Sequence, residues 1–410
     1  NGEYKLPAVE PGTHTIRVFD KDGTEKSSRQ ITIKKGKTAS VSGNTITITD
    51  DSQTVTMNLD RTTTSSDNIS NTVNDYMPFE KGTLAYNILT NAKNKTNGTM
   101  FTANLSSTNM VDNVTTVNDK ILSTAIDDYG TTYYSRGNPT DNYVNYAGMC
   151  WRIVRIEGDG STKLILASEK TCSITNLTNN SGYATDGAAG VQGTILSENY
   201  GYKMINGYYK NDYINNASST NARTKLNAWL ERKITSESDK LLLKNETWCI
   251  GDQTNAYKEG KIIGTVNDLI SSRTDFYYTA GNKYGVTKTP SYKCETTGVD
   301  GEKDVNKVGM LTFDEVVYAG GGNNSNSNYY LNNNAASNMW WLLSLDSSYG
   351  SGGNEMAFLV KTDGGLDSFY IDYTDFVDGT SFGLRPVVTL KSGITIASGN
   401  GTISNPYVIK

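Results

Sequence analysis

Residues 142–172 read NYVNYAGMCWRIVRIEGDGSTKLILASEKTC, and this stretch decides the fold class of the larger part of the chain. Two apolar runs, CWRIVRI and TKLILAS, flank Gly158, Asp159 and Gly160. A Gly/Asp turn between two such runs is the pattern of a β-hairpin. Side chains alternate across a strand, so Trp151, Ile153, Leu164 and Leu166 are expected to face the core.

Working outward, TNARTKLNAWLERKI (220–234) places Leu226, Trp229, Leu230 and Ile234 on one helical face. GTLAYNILTNAK (82–93) and VNDKILSTAI (117–126) have apolar spacing suited to short helices, capped by Thr83 and Asn118. VGMLTFDEVVYAGGG (308–322) is a further amphipathic segment, followed by an Asn/Ser/Gly loop to Asn328. Short strands, a few helices and long loops predict an α+β fold over residues 76–410.

Residues 1–60 differ. THTIRVFD, SRQITIKK, NTITITD and TVTMNLD alternate apolar and polar residues, with Ile16 and Val18, Ile31 and Ile33, Ile46 and Ile48, and Val55, Met57 and Leu59 in phase. They predict a small all-β sandwich, with Asp20-Lys21-Asp22-Gly23 as a hairpin turn; a calcium loop would need downstream ligands that are not there. Residues 61–75, RTTTSSDNISNTVND, are polar and aperiodic and read as a linker.

At 410 residues and 36% apolar, the chain has enough material for two or three cores. Its 38 basic and 43 acidic residues leave no basic footprint for nucleic acid or anionic lipid. Tyr outnumbers Phe 26 to 9, which together with abundant Asn, Ser, Thr and Gly suits a hydrogen-bonding surface outside the cell. The opening at Asn1 without Met, and the lack of a signal peptide or membrane-spanning run, are read as a mature or trimmed fragment with no membrane insertion of its own.

Cys150, Cys172, Cys249 and Cys294 lack metal-type spacing, and His14 is the single histidine, so no metal site is expected. The sequence-adjacent pairs Cys150–Cys172 and Cys249–Cys294 are assigned as disulfides worth about 3–4 kcal/mol each, with four buried thiols as the alternative.

The cassette from Asn338 to Leu390 holds the candidate contact residues: NMWWLLSLDSSYG, FLVKTDGGLDSFYIDYTDF and FGLRPVVTL. The nominated ligand-binding residues are Trp340, Trp341, Tyr349, Asn354, Phe369, Tyr370, Asp372, Tyr373 and Asp375. Aromatic rings give contact area at low entropy cost, while Asn and Asp adapt their hydrogen bonds. The competing assignment makes at least one of the two tryptophans a core residue, and alternation through DSFYIDYTDF would bury half of its nominees. Arg385 is assigned a structural hydrogen-bonded role and Pro386 the start of the last strand.

No catalytic residue and no cofactor is expected. With one histidine, in a stalk strand, Ser/His, Cys/His and His-metal mechanisms are excluded. The carboxylate pairs Asp314 with Glu315 and Asp127 with Asp128 read as solvated charge or a helix cap rather than as a glycosidase pair. Gly320–Gly322 reads as a loop, since no Lys-Ser/Thr follows it.

Several segments occur in a familiar order: DDYGTTYYSRG, the hairpin, KLNAWL, TWCIGD, VGMLTFDEVVYAGG, Trp340-Trp341, FGLRPVVTL and NGTISNPYVIK. Over residues 127–410 the chain resembles secreted or pilus-associated proteins of gut Firmicutes with a C-type-lectin-like fold of the formylglycine-generating-enzyme type. It is similar also to the variable proteins of diversity-generating retroelements. PAVEPGTHTIRVFDKDG (7–23) resembles Ig-like or PEGA-like stalk modules. The resemblance implies a rigid scaffold displaying a loop surface shortly before its final strand. It does not extend to the cysteine pair of the formylglycine-generating enzymes, nor to the EPN, QPD and WND triplets of calcium-dependent lectins.

The function expected is therefore a bacterial surface adhesin, extracellular or pilus-associated, monomeric, binding a cell-surface protein or glycan without a cofactor. A sharper form makes the cassette from Trp340 to Phe382 hypervariable. The rivals are a structural pilus or surface-layer subunit and a carbohydrate-active enzyme using Asp314 or Glu315.

Overall fold

The computed structural model describes residues 3–5, 12–19, 25–33, 38–42, 45–50, 53–58, 78–95, 110–112, 122–178, 222–249, 255–294, 303–332, 339–349, 354–370 and 383–410. The chain divides into two compact units, Asn1–Tyr76 and Met77–Lys410.

The first unit is built from strands. β1 (Glu3–Lys5), β4 (Thr38–Ser42), β5 (Thr45–Asp50) and β6 (Gln53–Asn58) form an antiparallel sheet in the order β1-β4-β5-β6. β2 (Gly12–Phe19) and β3 (Glu25–Ile33) form a separate hairpin. The four expected strands fall on β2, β3, β5 and β6, while β1 and β4 are additions. The turn expected at Asp20–Gly23, the linker 61–75 and the alternating burial of the Ile and Val side chains lie outside the described residues.

The second unit is α+β. Its larger sheet contains β7 (Ser123–Asp127), β8 (Gly130–Tyr134), β9 (Tyr143–Tyr146), β10 (Met149–Ile156), β11 (Thr162–Ser168), β17 (Val308–Gly309), β21 (Val387–Leu390), β22 (Ile396–Ser398) and β23 (Tyr407–Ile409). The path runs β17-β21-β11-β10-β9-β23-β22, with β8 joining β10 to β7. The β10–β11 hairpin is central, pairing Trp151 with Leu166 and Ile153 with Leu164. Those four side chains are buried as alternation requires. At about 1.5–3 kcal/mol for each fully buried large apolar side chain, they form a substantial part of the core. The alternate face of the hairpin is buried too, so both faces are covered. Gly158 closes the turn where the Tyr129–Gly130 backbone packs against it, leaving no space for a side chain.

The Ala222–Lys233 helix lays Leu226, Trp229 and Leu230 into this core, with Trp229 edge-on to Trp151 at 6.1 Å. The Leu84–Lys95 helix buries Leu84, Ile88, Leu89 and Ala92, and Thr83 Oγ1 accepts from Tyr86 N at 3.2 Å as its expected cap. The second expected helix is corrected: Ser123–Asp127 is β7, paired with β8. Leu122 and Ile126 have the i, i+4 spacing of a helix face, but the ladder to β8 outweighs that weak local preference. Residues 113–121, with Asn118, lie outside the described residues.

A second sheet runs β14-β13-β15-β18-β19-β20, from β13 (Asn255–Lys258), β14 (Lys261–Thr265), β15 (Phe276–Tyr277), β18 (Trp340–Tyr349), β19 (Asn354–Val360) and β20 (Leu366–Tyr370). β12 (Glu246–Cys249) pairs with β16 (Lys303–Asn306). The disulfides are Cys150–Cys172 and Cys249–Cys294, as assigned from the sequence. Arg385 is buried and donates to Leu331 O at 2.8 Å and Leu166 O at 3.1 Å, the structural role expected of it. Pro386 precedes β21, but β21 is not the last strand: β22 and β23 follow, and β23 lies parallel to β9.

Candidate functional site

The six-stranded sheet carries a row that crosses every strand. Its register aligns Ile262, Tyr257, Tyr277, Ser347, Met356 and Tyr370, each the partner of the next. Directly paired residues of an antiparallel ladder share a face. Ile262 is 59% exposed and Tyr277 37% exposed, Tyr257 and Met356 are half-buried, and Ser347 lies beneath. Two rungs further along the β18–β19 pair, Tyr349 is registered with Asn354. Three nominated positions, Tyr349, Asn354 and Tyr370, thus meet at one end of the sheet.

Local chemistry shapes that end. β13 and β14 are joined by Glu259 and Gly260, both at positive φ (50° and 79°), a tight turn matching the twist of its strands. A register shift between Leu345 and Ser347 inserts Asp346 as a bulge. Asp346 Oδ2 accepts from Ser368 Oγ at 2.7 Å and from Ser347 Oγ at 3.0 Å, so the acid ties β18 to β20. Burial pushes the Asp346 carboxyl up, with the two serine hydroxyls opposing and Asp367 adding to the rise.

The other nominees are placed differently. Trp340 and Trp341 are corrected to core residues, 2% and 0% exposed. They sit at the far end of β18, opposite Val360 and Leu359. Trp341 N donates to Gly383 O at 3.0 Å, and the Arg385 guanidinium lies over the Trp340 ring at 5.0 Å. β18 is covered on both faces there, so alternation exposes neither ring. Phe369 is half-buried, registered with the buried Ala357 and packed against the core, so it does not present a free ring. Asp372, Tyr373 and Asp375 lie outside the described residues. Tyr257, Tyr277, Ile262, the exposed Ile263 and the exposed Val286 are not among the nominated residues; the short NAYKEGKIIGT hairpin pattern (255–265) is the signal available for Tyr257, Ile262 and Ile263.

A second feature is a buried ionic network. Arg155 contacts Asp127 at 2.7 Å and Glu157 at 2.8 Å; Lys163 contacts Glu315 at 2.8 Å; Lys244 contacts Glu157 at 2.8 Å and Glu246 at 3.2 Å. Burial opposes the charge on Glu157, but Arg155, Lys163 and Lys244 overcome it and hold its carboxyl well below the usual carboxylate range. Glu315 is likewise held low against burial, by Lys163 and Arg155. Glu246 moves up, through burial first and then the adjacent Glu157. Arg155 lies over Tyr292 at 4.7 Å, and Tyr292 stacks on Tyr318 at 4.1 Å.

This network corrects the reading of Asp127 as solvated charge or helix cap, since it is buried against Arg155 and accepts from Tyr129 N and Gly130 N. Glu315 does cap a helix: with Thr312 it forms a capping box at the start of Phe313–Ala319, while also holding Lys163. Asp314 accepts from Lys283 Nζ at 2.9 Å and Ser291 N at 2.7 Å. Glu157 and Glu315, stabilised as anions by the cations around them, are weak bases, so their arrangement favours rigidity over proton transfer.

Compared with known proteins, the chain matches no family model, no curated protein and no solved structure.

Proposed function

We propose that this chain is an extracellular recognition protein, a bacterial surface adhesin that grips a cell-surface protein or glycan with one end of its six-stranded sheet. The observation that carries this reading is the row from Ile262 through Tyr257 and Tyr277 to Met356 and Tyr370, with Tyr349 and Asn354 registered nearby. The exposed Tyr277, with the half-buried Tyr257 paired beside it on a rigid frame, offers ring surface that binds with little ordering cost. The frame is stapled by two disulfides, which suit an oxidising compartment. Among the described residues no helix is long and apolar enough to cross a membrane. In this reading residues 1–60 are an Ig-like stalk, residues 76–410 a C-type-lectin-like head acting as a monomer without cofactor or catalysis, and the cassette to Phe382 the variable part of the surface. Probing an array of glycans and cell-surface proteins with the native chain and with Tyr349→Ala and Tyr370→Ala tests it. Binding that both variants lose supports the reading, and binding that both retain rejects it.

A structural pilus or surface-layer subunit is the second reading, favoured by one observation. β14 pairs with β13 alone among the described strands, and it carries the exposed Ile262 and Ile263. Such an edge invites pairing with another chain. Light scattering across a concentration series separates the two, since assembly requires oligomers that grow with concentration.

A further inference from the structure

The two disulfides differ in how solvent reaches them. Cys150–Cys172 joins β10 to the segment after β11, with Cys150 0% and Cys172 9% exposed. Cys249 and Cys294 are both half-buried, and both line a cavity of about 210 Å³ whose wall includes the exposed Asp128 and Lys293. The cavity therefore meets solvent beside this bond. A thiolate cuts a disulfide by attacking one of its sulfurs, so access decides which of the two is reduced first.

The Cys249–Cys294 bond also encloses a defined part of the fold. The loop that it closes, residues 250–293, contains β13, β14 and β15, and with them Ile262, Tyr257 and Tyr277, the outer half of the row. β13 and β14 are lightly held. Among the described strands β13 meets β15 through the single pair Tyr257–Tyr277, and Ala256 is the one buried residue of 255–265. β15 is fixed better: Phe276 is buried, Tyr277 pairs with Ser347, and Tyr278 N donates to Asp346 O at 2.8 Å. Segments with few buried contacts open first. A cross-link across such a segment restricts its opened state, because the opened chain remains a closed loop.

We propose that Cys249–Cys294 is a redox latch on the outer sheet: a dithiol reductant opens it ahead of Cys150–Cys172 and frees the β13–β14 hairpin, which takes Ile262 and Tyr257 out of the row. One thiolate of the reductant bonds to a sulfur of the pair, and the other cysteine leaves as a thiolate. The second reductant thiol then displaces the first cysteine. Two electrons and two protons pass from the reductant to the protein, which ends with two thiols, while the reductant ends as a cyclic disulfide. The latch itself needs no ligand; only its effect on binding rests on the recognition reading.

The test titrates the full native chain with dithiothreitol, traps new thiols with iodoacetamide, maps them by peptide mass spectrometry and follows amide hydrogen exchange in the same samples. Alkylation of Cys249 and Cys294 is expected at concentrations that leave Cys150 and Cys172 bonded. Exchange across residues 255–265 should then rise roughly tenfold or more, with the 149–168 hairpin unchanged. A chain carrying Cys249→Ser and Cys294→Ser should show the same rise without reductant. Earlier or simultaneous labelling of Cys150 and Cys172, native exchange across 255–265 once Cys249 and Cys294 are alkylated, or a rise shared equally by the 149–168 hairpin would overturn the proposal. If the serine variant does not fold, the reduced native chain decides alone. Exchange involves no array ligand, so an array without hits rejects the recognition reading and leaves the latch standing.

Discussion

Ser368 on β20 donates its hydroxyl to Asp346 Oδ2 on β18 at 2.7 Å, reaching across the intervening strand β19. The bulge that turns Asp346 inward is also the place where the β18 register steps before the Ser347–Met356 pair. One hydrogen bond thus fixes three strands where the tyrosine row crosses them. Ser368→Ala is expected to destabilise the chain by about 0.5–1.5 kcal/mol, since Ser347 still donates to the same oxygen. Denaturant titration of the two proteins checks this.

The ionic network predicts an asymmetry between buried and surface pairs. Lys163→Ala takes from Glu315, a carboxylate with a side-chain exposure of 4%, its nearest cation and leaves Arg155 at 3.5 Å, and should cost about 3–5 kcal/mol. Lys361→Ala, whose partner Asp367 is 3.9 Å away and 57% exposed, should cost less than about 1 kcal/mol. Equal losses in urea unfolding would contradict the structural role given to the network.

Stability should peak in mildly acidic solution. Glu157 and Glu315 are held low, so their contribution is present above the unfolded value of about 4.3 and is lost as pH falls through the depressed folded values. Glu246 and Asp346 are pushed up, so the folded chain holds their protons more tightly. Their contribution is lost as pH rises from about 4 through the raised values. Melts across the pH range should show decline on both sides, and Glu246→Gln should flatten the decline on the higher side. An unchanged slope in that variant would remove Glu246 as its source.

Trp341 has a structural part to play. With 0% exposure, Trp341→Ala should cost about 3–5 kcal/mol through the cavity it leaves. Calorimetry reads this directly, and a variant melting like the native chain would return that ring to the list of contact candidates.

The hairpin was legible because its information is local: Gly158-Asp159-Gly160 marks the turn, and Trp151, Ile153, Leu164 and Leu166 mark the core face. The Thr83 cap, the helix of Trp229 and both cysteine pairs were legible for the same reason. What stayed hidden depends on distant partners. Lys163 and Glu315 are 152 residues apart, and nothing beside either says that it is buried. Aromatic composition nominates Trp340 and Trp341 as contact residues, and alternation alone would bury only one of the two; a strand covered on both sides buries both. Tyr257 and Tyr277 join the nominated positions only through register, which no short stretch of sequence encodes.

The most direct measurement is the affinity of Tyr277→Ala for the array ligand of the native chain, taken beside its melting temperature. Tyr277 is 37% exposed at the middle of the row, so a loss of about 2 kcal/mol in binding, roughly thirtyfold, is expected with melting unchanged. Native affinity in a folded Tyr277→Ala chain would contradict recognition at this end of the sheet.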